Sequence, residues 1–252
     1  MKFDVQGKTI LLTGASDGIG KALAIFLIGQ GARLAVHYHT NGVSAESIVA
    51  RCSNGSETFR ADLSDEKEVS DLFTNVVARF KRIDTMVLNA GVFLPHSVNG
   101  GTVEWFQTWK RTMAVNLDAV GLLTKLGIDH FKTLGRGRLI YLGSRAVFRG
   151  ETEAYLAYAA SKGGITALAR SVARSFGKDG IVAMVLAPGF TRTAMAEAFI
   201  ADHGEETLLN EIALKELTEP EDLAPLLCLM CSGAMDHATG ATIDMNAGSH
   251  IR

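Results

Sequence analysis

Short apolar runs and longer amphipathic stretches alternate along the whole chain. The runs are Thr9–Leu12, Arg33–Tyr38, Thr58-Phe59, Met86–Leu88, Leu139–Leu142, Val182–Leu186 and Ala241–Asp244, with helix-length segments near 18–30, 43–52, 65–80, 102–127, 155–178 and 220–232 between them. Runs that are apolar at successive positions read as strands covered on both faces. Their regular alternation with helices predicts an α/β fold in three layers, a doubly wound parallel sheet with helices on both sides. Ligands of such sheets sit beyond the carboxyl ends of the strands. No repeat, linker or low-complexity stretch divides the 252 residues, so a single domain spanning 1–252 is expected.

Composition narrows the function more than the fold. A formal net charge of -2 with both signs interspersed offers no basic footprint for nucleic acid and no polybasic membrane patch. No apolar stretch is long enough to cross a bilayer uninterrupted, and the first residues lack the apolar core of a signal peptide. The three cysteines suit a reducing compartment, which makes the cytoplasm the expected location and a small polar molecule the expected partner.

Two local patterns carry chemistry. The first apolar run opens into Thr13-Gly14-Ala15-Ser16-Asp17-Gly18-Ile19-Gly20 and then a helical segment. Glycines there let the backbone approach a pyrophosphate, and the amides that open the helix point at the anion. The second pattern is Tyr158-Ala159-Ala160-Ser161-Lys162. Residues four apart share a helix face, so Lys162 can stand beside Tyr158 and favour its phenolate. Tyr155 is a rival, but its own fourth neighbour is Ala159, which supplies no charge.

Thr13–Gly20, Asn89-Ala90-Gly91, Asn116, Ser144, Tyr158-x-x-x-Lys162 and Pro188-Gly189 follow the order and approximate spacing of the short-chain dehydrogenase/reductase family, which the chain resembles over essentially its full length. The resemblance implies a Rossmann-type sheet of about seven strands and hydride transfer between a nicotinamide cofactor and a carbonyl or secondary alcohol. It assigns Tyr158 as the acid/base, Lys162 as its modulator and a ribose ligand, Ser144 as the holder of the substrate oxygen, and Asn116 as the anchor of a relay water. A catalytically silent nucleotide-binding sensor or scaffold on the same fold is the alternative.

Cofactor contacts follow from the same resemblance. Gly14, Ser16, Asp17, Gly18, Ile19 and Gly20 would hold the pyrophosphate. Asp62 and Leu63 would meet the adenine, Asn89, Ala90 and Gly91 the adenosine ribose, and Pro188, Gly189, Thr191 and Thr193 the carboxamide. Leu88 stands where the family usually has a second asparagine. Tyr38, expected with His39 among the cofactor contacts, occupies the end of the second strand, where an NAD enzyme typically presents a carboxylate. No acid lies between Asp17 and Glu46, and His37, His39 and Thr40-Asn41 could accommodate a phosphate. NADP is therefore favoured, with NAD as the alternative.

Substrate contacts are expected from Ser144, Arg145, Tyr158, His96 and Met195, the last within a variable lid over 190–217. Glu151 and Glu153 are close enough in sequence to neutralise Arg145 and Arg149. No metal site is expected, and Cys228-x-x-Cys231 and the Trp105, Trp109 pair read as packing. Small residues Ala160, Gly164, Ala167 and Ser171 on the face opposite Tyr158 predict pairing of the two long helices across two-fold axes, giving a homodimer or homotetramer.

Overall fold

The computed structural model describes residues 4–51, 53–193, 196, 197, 200 and 204–252. Its seven strands are β1 (Thr9–Leu12), β2 (Arg33–Tyr38), β3 (Glu57–Arg60), β4 (Thr85–Leu88), β5 (Gly137–Leu142), β6 (Ile181–Pro188) and β7 (Thr242–Met245). All pair in parallel, in the order β3-β2-β1-β4-β5-β6-β7. The order reverses between β1 and β4, and a crevice opens where the loops after those strands part in opposite directions.

Helices α1 (Gly18–Gly29), α2 (Gly42–Val49), α3 (Glu66–Phe80), α4 (Thr102–Met113), α5 (Ala119–Leu134), α6 (Ala146–Arg149), α7 (Leu156–Phe176), α8 (Glu205–Leu209) and α9 (Pro220–Ser232) fill the connections. Each wide stripe of apolar residues goes to one side of the sheet. Leu23 and Leu27 of α1 join Leu223 and Leu227 of α9 against Ile10, Leu12, Ile140 and Met184. On the other face Leu72 and Val76 of α3, Leu123 of α5 and Ile165 and Ala169 of α7 cover Leu11, Met86, Leu139 and Ala183. Alternate residues of one strand thus enter different cores, the period-two rule of strands made concrete.

The segment expected as one helix over 102–127 is longer and interrupted. A π-turn, Ala114–Asp118, separates α4 from α5. It carries Asn116 at its centre, and such widened turns are a common feature of functional sites. Of the small residues on α7, Ala160, Ala167 and Ser171 are exposed. Gly164 has a different task, because a Cβ there would lie 2.9 Å from Leu117 Cδ1 of the π-turn. That glycine packs two segments of one chain.

Candidate active site

At the switch point a cleft of about 430 Å³ runs from the glycine turn to the loop after β6. The turn is fixed from three sides. Gly14 N donates to His37 Nδ1 at 3.0 Å, and Asn89 Nδ2 donates to the carbonyls of Thr13 and Gly14 at 2.9 and 3.0 Å. Thr13 Oγ1 accepts from Asn89 N and Ala90 N. Gly14 and Gly18 have φ of +62° and +49°, a region costly for residues with a Cβ. A Cβ at Gly20 would fall 2.6 Å from Asn89 Nδ2 and closer still to the Gly14 carbonyl. Asp17 N-caps α1, its carboxylate accepting from Gly18 N at 2.7 Å.

His37 is buried and works as a neutral strut. Its Nδ1 accepts from Gly14, so Nε2 carries the hydrogen donated to the Ala61 carbonyl at 3.1 Å. Burial lowers its pKa to about 4, the bond to Ala61 opposing that shift and His39 adding to it. Both ring nitrogens are spent, so His37 has no donor for a phosphate. Tyr38 does not line the cleft. Strand alternation sends its ring to the other face, where a Cβ on Gly42 would touch it at 3.1 Å, while His37, His39 and Thr40 border the cleft.

At the adenosine end the carboxylate of Asp62 is already engaged. Oδ1 accepts from Ser64 N and Oγ at 2.8 Å each, Arg111 Nη2 lies 3.4 Å from Oδ1, and His39 Nε2 lies 3.6 Å from Oδ2. Partial burial pushes its carboxyl up, but the Ser64 hydrogen bonds and the Arg111 and His39 charges outweigh this and hold it below the usual range. Arg111, which also contacts Ser64 Oγ, is a cleft residue that sequence reasoning missed. It reaches Asp62 across 49 residues of chain, a meeting only the fold creates.

The opposite end assembles Asn116, Ser144, Tyr158 and Lys162. Ser144, after β5, accepts from Ala146 N through Oγ at 3.1 Å and lines the cleft together with Tyr158. Phe93 packs edge-on to Tyr158 with ring centroids 4.8 Å apart and stacks on Tyr155 at 3.7 Å, which occupies the rival tyrosine in packing. Lys162 Nζ donates to the Leu142 carbonyl at 2.7 Å and lies 5.7 Å from the centre of the Tyr158 ring. Asn116 is fully buried, Oδ1 accepting from Val92 N at 2.8 Å and Nδ2 donating to Val92 O and Ser161 Oγ. Its amide pins the strand-β4 loop.

Electrostatics reverse one expectation. Burial raises the Tyr158 phenol to about 12, with the Ser144 hydrogen bond opposing and the Glu151 charge reinforcing the rise. Burial lowers Lys162 to about 8. Lys162 is too busy at Leu142 to stabilise the phenolate in this arrangement, so Tyr158 holds its proton at neutral pH. A tyrosine in that form is an acid waiting for an oxygen to protonate.

Leu63, Ala90, Gly91, Pro188, Gly189, Thr191 and Thr193 also line the cleft. Gly189 is required by proximity, since a Cβ would lie 2.7 Å from Asn246 Cα. Thr193 approaches the glycine turn, its Cγ2 within 3.0 Å of where a Gly18 Cβ would be. His96 is not a cleft residue. It is buried, accepts from Ala157 N at the start of α7 and packs against Trp105 at 5.2 Å, so the neighbouring tryptophans seal what looked like a loop tip. Met195, like Cys52, lies outside the described residues. Arg145 and Arg149 pair with Glu211 at 3.2 and 3.0 Å rather than with Glu151 or Glu153. Cys228 and Cys231 are buried free thiols raised by desolvation, and no group of metal-ligating side chains occurs among the described residues.

Residues 14–250 match the model of a family described as enoyl-(acyl carrier protein) reductase. A short-chain dehydrogenase/reductase of Armillaria gallica is 32% identical, with 96% of each chain aligned. Among solved structures, one described as an NAD(P) dependent gluconate 5-dehydrogenase from Beutenbergia cavernae, with bound NADP, superposes with a TM-score of 0.90 at 28% identity, 99% of each chain covered. A 3-ketoacyl-(acyl-carrier-protein) reductase from Brucella melitensis complexed with NADH gives 0.89 at 25% identity, covering 98% of this chain and all of that one. The chain belongs to the short-chain dehydrogenase/reductase family. It is an NAD(P)-dependent oxidoreductase, and no helix among its described residues is long and apolar enough to cross a membrane.

Proposed function

We propose that the protein reduces a carbonyl, or oxidises the matching secondary alcohol, with Tyr158 as acid/base and NADP as the preferred cofactor. The observation that carries this reading is Ser144, Tyr158 and Lys162 brought together at one end of a cleft whose other end is the glycine turn. When bound, the cofactor supplies or takes the hydride. In reduction Ser144 donates to the substrate oxygen while Tyr158 delivers its proton there, so charge never accumulates on that oxygen. Lys162 holds a positive charge behind the phenol, and Asn116 keeps the Val92 loop and Ser161 in place beside it.

The glycine turn fits a pyrophosphate, because side chains at Gly14 or Gly20 would collide with Ala90 or Asn89. Absence of an acid at the end of β2, together with His39, Thr40 and Arg111 along the cleft, supports NADP over NAD. Asp17 works against it, which keeps NAD usable. The residues 190–217 form the substrate lid, Glu211 tying it to Arg145 and Arg149. Exposed Val103 and Phe106 on α4 and Leu156 at the start of α7, a helix that also exposes Ala160, Ala167 and Ser171, support a homo-oligomer built on these helices.

Transfer of label tests the reading. Reduced cofactor deuterated at the nicotinamide C4, incubated with 2,3-butanedione, should place deuterium on the new carbinol carbon. Bound cofactor without transfer would instead support the silent sensor.

A further inference from the structure

Arg145 and Glu151 both wall the cleft beside Ser144 and Tyr158, and they form no ion pair within 4.0 Å of each other. Arg145 is 6% exposed. Its Nη2 pairs with Glu211, whereas its Nη1 is buried with no hydrogen bond among the described residues. A buried donor left empty costs about 1–3 kcal/mol, which an oxygen would recover where the cleft wall shifts to uncover it. Glu151 forms no ion pair within 4.0 Å among the described residues. Burial raises that carboxyl while the Arg145 and Arg149 charges resist the rise.

The charges balance. Arg145 and Arg149 face Glu211 and Glu151, two cations to two anions. A substrate carboxylate would find its guanidinium partner already shared with Glu211 and a second carboxylate beside it. A hydrocarbon chain would have to strip water from Glu151 without replacing a single hydrogen bond. Hydroxyl groups suit both sides, accepting from a guanidinium and donating to a carboxylate.

Resting on the oxidoreductase reading above, we infer that the substrate is a neutral polyhydroxylated carbonyl or alcohol, a sugar or polyol, with Glu151 accepting from a hydroxyl adjacent to the reacting carbon. In reduction the hydride from the reduced cofactor forms the carbinol C–H bond and the Tyr158 proton forms the hydroxyl O–H bond, leaving a phenolate; oxidation runs in reverse and starts from that phenolate. Glu151 takes no part in that exchange. It selects the substrate.

Oxidation of L-rhamnose, D-galactose and galactitol should be compared with that of D-gluconate and with reduction of the 3-oxobutanoyl thioester of N-acetylcysteamine, using 2,3-butanedione as a carbonyl that needs no polar recognition. At least one neutral polyol should exceed D-gluconate and the thioester in kcat/KM by about tenfold or more. Glu151→Gln should raise KM for that polyol about tenfold with a smaller change in kcat, and should affect butanedione turnover several-fold less than polyol turnover. Calorimetry on Tyr158→Phe protein should show the same loss of polyol affinity without turnover. Higher kcat/KM for D-gluconate or the thioester than for every polyol, or an equal loss for all substrates in Glu151→Gln, overturns the inference and leaves the oxidoreductase reading intact. No Tyr158-dependent turnover even of butanedione overturns both.

Discussion

The two ends of the cleft are built on opposite principles. At the nucleotide end the polar groups of the turn are spoken for: His37 spans Gly14 and Ala61, Asn89 spans Thr13 and Gly14, and Asp62 is held by Ser64 and Arg111. At the substrate end, among the described residues, Arg145 keeps a buried nitrogen without a partner, Glu151 forms no ion pair within 4.0 Å, and Tyr158 retains a proton it is shaped to give away. A satisfied network is rigid and binds the same moiety each time. Unsatisfied groups wait for a ligand to complete them.

Breaking the satisfied end should have the largest effect. Gly20→Ala drives a methyl group into Asn89 Nδ2 and the Gly14 carbonyl. Overpacking there should cost about 3 kcal/mol in stability, with cofactor affinity lost altogether, as read by thermal unfolding and calorimetry.

The His37 strut predicts an acid-side signature. Its folded pKa lies near 4 against 6.5 unfolded, so the unfolded chain binds the extra proton between those values. Stability should therefore be present above pH 6.5 and fall as pH drops toward 4, by about 3 kcal/mol from this group. His37→Asn can still bridge Gly14 and Ala61 but has no titrating group, so urea unfolding across that range should show a flatter dependence. An unchanged slope would show that His37 is not buried neutral.

Lys162 gives the converse sign at the substrate end. Its folded pKa near 8 is below the unfolded 10.5, so burial of the charge costs stability below pH 8 and the cost fades as pH rises to 10.5. Lys162→Met should stabilise the cofactor-free protein at pH 7 by about 2 kcal/mol after the unpaired Leu142 carbonyl is counted, while turnover collapses. A destabilised variant would mean that the lysine is held by more than Leu142.

The smallest effect concerns cofactor choice. Asp17→Ser keeps an N-cap for α1 but removes a carboxylate from the cleft, so NADP should bind tighter by about 1 kcal/mol with NAD changed less. Equal tightening of both would place Asp17 against the shared pyrophosphate alone.

What could be read from the sequence divides along the same line as the cleft. Strands buried on both faces gave continuous apolar runs, so the sheet, its helices and the glycine turn were legible with ends shifted by a few residues. The π-turn was not, because Ala114–Asp118 carries the same amphipathic spacing as its neighbours. Ser144, Tyr158, Lys162 and Asn116 were legible through their order, since each sits at the end of a strand or on a helix that faces it. Tyr38 was misplaced by reading position without alternation, which already pairs His37 with His39 on one strand face. His96 was misplaced because the loop around it gives no sign of Trp105 and Trp109 folding over the ring. Arg111 on Asp62, and Glu211 on Arg145 and Arg149, are contacts between distant segments with no local periodicity to announce them.

The separation of the two ends is tested most directly by measuring NADP affinity and turnover together in Tyr158→Phe. Loss of the phenol hydroxyl removes the proton donor but leaves the ring against Phe93. Affinity should stay within about threefold of wild type while kcat falls about a thousandfold or more. Turnover within a few-fold of wild type, or a parallel collapse of affinity, would contradict the account.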